Sequence, residues 1–348
     1  MNPKHTFFLL LTVSGICLIL ETFCWFILKN EGLSVGFLFH FDLTNEVTAT
    51  KGFGFNEIDP LCGWAMSNQH LESMGYETEN NCVVLRSKGT YPITPLKLFI
   101  TGGSTSDIAL HEENWPIYLH QLLAKDSINA IVYAGGVGGY TSGQELLKLL
   151  RDGINIKPDI HISYAGANEG ADKGYVSEYE EDFYVRSYRE SLTSKVLPST
   201  IFAIKKALQI GYVDLTIKKT SPIKPYDFWR QNMKYMNAMA KANGSQFIGV
   251  LQPVLAITQN NQQSEHDIDP GGYGKFYKTY YPQAQKHIKD NPDNLYDLTT
   301  IFDTIPTAVY IDDCHIQAAY QPLVAQAIFT IVKSRLYNST SRIYTSEN

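Results

Sequence analysis

Short apolar runs alternate along the chain with longer stretches of helical spacing. The runs are Leu96–Thr101 (LKLFIT), Ile128–Tyr133, Ile160–Tyr164 (IHISY), Gln246–Leu251 (QFIGVL) and Leu295–Leu298, each of strand length and bounded by glycine or polar residues. Between and after them, residues 143–152, 227–243, 275–289 and 316–336 place apolar side chains at three- and four-residue intervals. Strand followed by helix, with crossovers of this size, predicts an α/β domain. We expect a doubly wound parallel sheet of about five strands with helices on both faces.

Polar groups gather where the first three runs end. Leu96–Thr101 breaks into Gly102-Gly103-Ser104, which sets a serine just beyond a strand's carboxyl end, and a helix is expected to start after it. Ile128–Tyr133 breaks into a glycine-rich stretch ending Gly138-Gly139, where a backbone N–H can meet a ligand unobstructed. Ile160–Tyr164 ends in Gly166-Ala167-Asn168, with a side-chain amide to offer. Taken singly, each reads as an ordinary turn. Taken together they line the edge of an open α/β sheet at which active sites form.

A fourth segment, Asp312-Asp313-Cys314-His315, precedes the long amphipathic stretch. A carboxylate three residues before an imidazole can hold that ring in the tautomer that accepts a proton from a hydroxyl. If the segment enters a helix directly, the spacing puts both side chains on one side. The set then supplies a nucleophile (Ser104), a base (His315), its orienting acid (Asp312) and oxyanion donors (Ser104 and Gly139 N–H, Asn168 amide), the requirements of acyl transfer. No cysteine or histidine spacing suggests zinc, and no cofactor or metal is expected.

These four blocks resemble the SGNH hydrolase superfamily, the GDSL-type esterases, from about Lys97 to about Ser334. The resemblance matches Ser104, Gly139, Asn168 and the Asp312–His315 pair to the family's four blocks, and implies a flavodoxin-like fold and a serine esterase. Two positions depart from the pattern. Gly-Asp-Ser becomes Gly102-Gly103-Ser104, as in a Gly-Gly-Ser-Thr subgroup, and Asn-Asp becomes Asn168-Glu169. The segment Asp59-Pro60-Leu61-Cys62-Gly63-Trp64 is similar to one that precedes the hydrolase core in membrane-anchored members linked to surface polysaccharides. The resemblance therefore implies an O-acyl, foremost O-acetyl, ester on a cell-envelope or secreted carbohydrate. An O-acyltransferase using the same serine is the first rival, and a non-catalytic glycan-binding envelope protein the second.

The N-terminus adds to this picture. Phe7–Leu28 is almost continuously apolar, interrupted by Glu21, and about 1.5 Å per residue makes it long enough for a bilayer of about 30 Å. We expect a transmembrane anchor over residues 1–30, a linker and small β-rich appendage over 31–94, a hydrolase-like domain over 95–338 and a disordered tail over 339–348. The weak charge bias puts the N-terminus inside and the catalytic body outside the cytoplasm, on the periplasmic side in a bacterium. An aromatic and charged stretch, residues 175–189, is a candidate lid or sugar-stacking wall.

Composition excludes more than it assigns. The formal charge of −6 over 348 residues, with no basic cluster interleaved with aromatics, argues against nucleic acid as a partner. Of five cysteines, Cys62 and Cys82 could pair in an oxidising compartment, whereas Cys314 reads as a small packing residue.

Overall fold

A computed structural model of the chain describes residues 3–30, 56–59, 61–87, 94–110, 113–170, 224–259 and 273–345. The candidate lid at 175–189 and most of the polar insertion at 259–269 lie outside them. The chain divides into two compact units, Met1–Gly54 with Tyr179–Lys218, and Phe55–Glu178 with Lys219–Asn348.

In the first unit the described element is helix α1, Pro3–Asn30. It takes in the apolar run Phe7–Leu28. No helix among the described residues is long and apolar enough to cross a membrane. Glu21 is buried.

The second unit is built on a seven-stranded sheet. Its strands are β3 (Thr78–Glu79), β4 (Cys82–Arg86), β5 (Leu96–Gly102), β6 (Ala130–Ala134), β7 (Ile160–Ala165), β8 (Gln246–Leu251) and β9 (Leu295–Asp297). They lie in the order β3-β4-β6-β5-β7-β8-β9. The last five of these are parallel, as the alternation predicts, and run second-first-third-fourth-fifth, the order of flavodoxin-like sheets. The expectation of about five strands is corrected by β3 and β4, which pair antiparallel along one edge. Their segment has too short a run of alternation to show in the sequence. The strand pair β1 (Asn56–Asp59) and β2 (Gly63–Met66) forms a separate antiparallel ribbon, followed by the short helix α2 (Asn68–Ser73).

Side chains of a strand point alternately to opposite faces, and β5 shows the consequence. Leu98 and Ile100 face one core, shared with Trp115, Leu119 and Leu123 of α3 (Trp115–Lys125) and with Val324, Ile328 and Val332 of the last helix. Phe99 faces the other, with Trp229, Met233 and Met236 of the Pro225–Ala242 helix and Tyr277, Tyr281 and Ala284 of the Gly274–Asp290 helix. Burying a residue of this size is worth about 1.5–3 kcal/mol, so the pattern on these strands fixes which face is which. The last helix, Gln321–Thr345, extends through most of the stretch expected to be a disordered tail, because residues 337–345 contain no glycine or proline to stop it. Cys62 and Cys82 are free and buried rather than paired.

The second face also buries a polar row the sequence reading passed over. Thr101 and Ser163 pair across β5 and β7, and both hydroxyls donate to Glu145, at 2.8 and 2.6 Å, while Thr101 Oγ1 lies 3.0 Å from His161 Nε2. Glu145 belongs to α4 (Ser142–Lys148) and is fully buried. Burial, with the nearby Glu169 charge adding to it, pushes its pKa up to about 8. Burial alone takes His161 down to about 3, so the ring is neutral. The unfolded glutamate releases its proton near 4.5 and the folded one near 8, so the folded state binds more protons between these values and stability falls as pH rises through them. Thermal melts of wild type and Glu145→Gln from pH 5 to 8.5 should show the variant gaining on wild type as pH rises. A pH-independent difference would contradict this assignment.

Candidate active site

Ser104 follows Gly103 at the carboxyl end of β5 and begins a single 3-10 turn, Ser104–Ser106. This corrects the expected helix start: the next α-helix is α3, at Trp115, with Asn114 capping it through a side-chain bond to the Trp115 N–H of 2.8 Å. Ser104 is partly exposed, and its Oγ lies 2.7 Å from His315 Nε2. The other ring nitrogen, Nδ1, lies 2.7 Å from Asp312 Oδ2. A proton on Nδ1 donates to the carboxylate and leaves Nε2 to accept from the serine hydroxyl.

The Asp312–His315 spacing works by a route other than the helical one. Asp312 Oδ1 accepts the backbone N–H of Cys314 at 3.0 Å and of His315 at 2.7 Å, so its carboxylate closes a side-chain turn around itself. Tyr310 and Ile316 pair antiparallel across this turn, and Ile311 N–H donates to His315 O at 2.8 Å. A 3-10 turn at Ala318–Tyr320 intervenes before the last helix begins at Gln321. A neighbouring loop and helix hold the segment: Leu255 N–H donates to Asp313 O at 2.9 Å, and the Tyr277 hydroxyl of the Gly274–Asp290 helix donates to the Asp313 carboxylate.

Burial pulls the His315 pKa down, but the hydrogen bond and charge of Asp312 outweigh it and hold the imidazole above its ordinary 6.5. For Asp312 burial works upward, and the His315 bond and charge outweigh it, so its carboxyl stays below 3.8. The pair is therefore matched, with each partner favouring the other's charged form. Cys314, between them, is buried and its thiol is pushed far up, first by burial and then by the two aspartates. A thiol held protonated in this way is a packing residue.

Of the expected oxyanion donors, Asn168 lies against Gly103, the residue before Ser104. A Cβ on Gly103 would come within 2.5 Å of Asn168 Nδ2 and 3.3 Å of Tyr140 O, so this position admits only glycine while the asparagine sits there. Asn168 Nδ2 donates one hydrogen to Tyr140 O at 2.7 Å, and an amide has a second to give. Gly139 has φ +79°, a left-handed conformation that favours glycine.

Several residues that support this arrangement escaped the sequence reading. Asp107, buried, accepts Gly138 N–H at 2.8 Å and Ala109 N–H at 2.9 Å, tying the serine turn to the glycine loop. Its pKa is raised to about 6 by burial, with those N–H groups opposing. Trp64 of β2 donates from its indole to Gly138 O at 2.9 Å and stacks edge-on against Tyr140 at 5.9 Å, while the Tyr140 hydroxyl donates back to Trp64 O. The Asp59–Trp64 segment thus braces the glycine loop. Thr105 donates to Gln252 at the end of β8, 2.8 Å away.

No family model and no curated protein matches the sequence. Among solved structures, the chain is similar to the acetyl xylan esterase AlAXEase, with 15% identity over 68% of this chain and 100% of that one and a TM-score of 0.40. It is also similar to an acetylxylan esterase from Geobacillus stearothermophilus, with 16% identity over 68% and 93% and a TM-score of 0.40. A GDSL-like lipase from Bacteroides thetaiotaomicron gives 14% identity over 69% and 88% and a TM-score of 0.39.

A base held above 6.5 must be deprotonated to work, so kcat/KM for an activated ester should rise with pH with a midpoint above 6.5. Removing the carboxylate in Asp312→Asn should move that midpoint to lower pH and cut kcat by about 10⁴. An unmoved midpoint would contradict the coupling.

Proposed function

We propose that this protein is a serine ester hydrolase that removes an O-acyl group, acetyl foremost, from a carbohydrate through an acyl-enzyme. The observation that carries the reading is the unbroken line Ser104 Oγ, His315 Nε2, His315 Nδ1, Asp312 Oδ2, with 2.7 Å at each hydrogen bond and Ser104 partly exposed.

Ser104 Oγ attacks the ester carbonyl as its proton passes to His315 Nε2, and Asp312 stabilises the imidazolium. The carbonyl oxygen becomes an oxyanion that receives hydrogen bonds from the Ser104 and Gly139 N–H groups and the Asn168 amide. Collapse of this intermediate breaks the bond to the alcohol, which leaves with the proton from His315. Water then gives a proton to the freed base and attacks the acyl carbonyl; collapse of this second intermediate breaks the bond to Ser104 Oγ, which takes the proton back from His315 as the acid leaves.

The carbohydrate part of the reading is supported by the Asp59–Trp64 segment, which resembles its counterpart in envelope-polysaccharide enzymes. The same resemblance and the apolar sequence of residues 7–28 support an N-terminal anchor that holds the catalytic body outside the cytoplasm. Retention of the full chain in the membrane fraction after carbonate washing, and its release when residues 1–30 are deleted, is the expected outcome.

Acetate release from an O-acetylated oligosaccharide, with p-nitrophenyl acetate as a second substrate, tests the chemistry. Ser104→Ala should lose about 10⁴ or more in kcat on both, because the members of such a triad act as a unit. An unchanged rate would remove Ser104 from the mechanism.

A further inference from the structure

Glu169 follows Asn168 in the 3-10 turn Ala167–Gly170 and is buried. Its Oε1 accepts the backbone N–H of Ser142, the first residue of α4. That helix continues from Gly138-Gly139-Tyr140-Thr141, so a single side chain joins the turn bearing the Asn168 amide to the loop bearing the Gly139 N–H. Asn168 Nδ2 makes the reciprocal contact, to Tyr140 O.

The Ser142 N–H is an orphan donor at the helix start, but satisfying it does not by itself require a buried carboxyl from another turn. The helix has its own capping box, in which Thr141 N–H donates to Gln144 Oε1 at 3.1 Å. A charge that favours a helix N-terminus serves as well at the surface, whereas a buried carboxyl is costly. Here burial raises the pKa of the carboxyl, with the Ser142 N–H opposing, and its charge adds to the cost of ionising Glu145. The Ser142 hydroxyl is occupied from a third element, accepting from Asn232 Nδ2 at 3.1 Å, which leaves the helix start little freedom to drift.

We propose that Glu169 is a positioning residue for the oxyanion hole: by bridging the Asn168 turn to the start of α4, it fixes the separation at which the Asn168 amide and the Gly139 N–H reach one oxygen. It touches neither substrate nor nucleophile and acts through those two donors. The proposal rests on the reading of Ser104 as an acyl-transfer nucleophile.

Steady-state kinetics of the full chain on p-nitrophenyl acetate, with active sites counted by stoichiometric fluorophosphonate labelling, separate positioning from folding. Glu169→Ala should lower kcat per active site by about 10–10²-fold with KM within about 2-fold, a transition-state loss smaller than that of deleting an oxyanion donor outright. Glu169→Gln keeps an oxygen that can accept the Ser142 N–H and should stay within about 3-fold of wild type. Ser142→Pro removes the donor, together with the hydroxyl that Asn232 meets, while leaving Glu169 intact, and Ser142→Ala, which loses only the hydroxyl, should stay within about 3-fold of wild type. The first helical position tolerates proline, and Thr141, at φ −85° and ψ 167°, already has the extended conformation that must precede it. The proline variant should match Glu169→Ala, and it decides the matter if Glu169→Ala does not fold. Wild-type kcat in Glu169→Ala or Ser142→Pro, or a Glu169→Gln variant as slow as alanine, would overturn the proposal. Wild-type protein without Ser104-dependent turnover would overturn the acyl-transfer reading itself.

Discussion

The hydrogen bond between Ser104 and His315 joins residues 211 positions apart, and everything functional in the molecule depends on its being made. A parallel sheet is what makes it available. Each parallel strand delivers its carboxyl end to the same edge, so β5, β7 and β8 bring Ser104, Asn168 and Gln252 to one rim, with the glycine loop arriving from β6. His315 comes from a turn that hydrogen-bonds to the loop after β8. The two apolar cores, one on each face of the sheet, hold that rim in place; the polar contacts at the rim only refine it.

The second constraint is the fixing of the loop from Gly138 to Ser142. Gly138 uses its N–H on Asp107 and its carbonyl on the Trp64 indole, Tyr140 uses its carbonyl on Asn168, and Ser142 uses its N–H on Glu169. A typical hydrogen bond contributes about 0.5–1.5 kcal/mol net, so these bonds are individually modest. Their value is geometric. With peptide groups on either side of Gly139 committed, its N–H has one direction left, and a donor aimed in advance costs no reorganisation when charge develops. Three of the four contacts use side chains that the acyl-transfer chemistry itself does not involve.

Strand positions and the segments that meet at the rim were legible because each is encoded locally. An apolar run followed by glycines and one polar residue marks a strand end, and QFIGVL was read with the boundaries the structure gives it, Gln246–Leu251. What escaped was encoded across distance. The antiparallel strands β3 and β4 depend on an edge left open by β6, which a short segment does not reveal. His161 and Ser163 sit at alternate positions of IHISY and look solvent-facing until Phe99 and Phe247 are seen to flank the ring and Glu145 to meet the hydroxyl. The Asp312–His315 pair was read as the approach to a helix, whereas the carboxylate builds its own turn. Glu169 and Asp107 are ordinary acidic residues until the backbone groups they meet, 27 and 31 positions away, are known.

The central claim is that Ser104, His315 and Asp312 form one nucleophilic unit. Its most direct test is peptide mapping by mass spectrometry after reaction with a fluorophosphonate. The account predicts one adduct, on Ser104, formed at least about 10³-fold more slowly in His315→Ala. An adduct on another residue, or Ser104 labelling that is indifferent to the loss of His315, would contradict it.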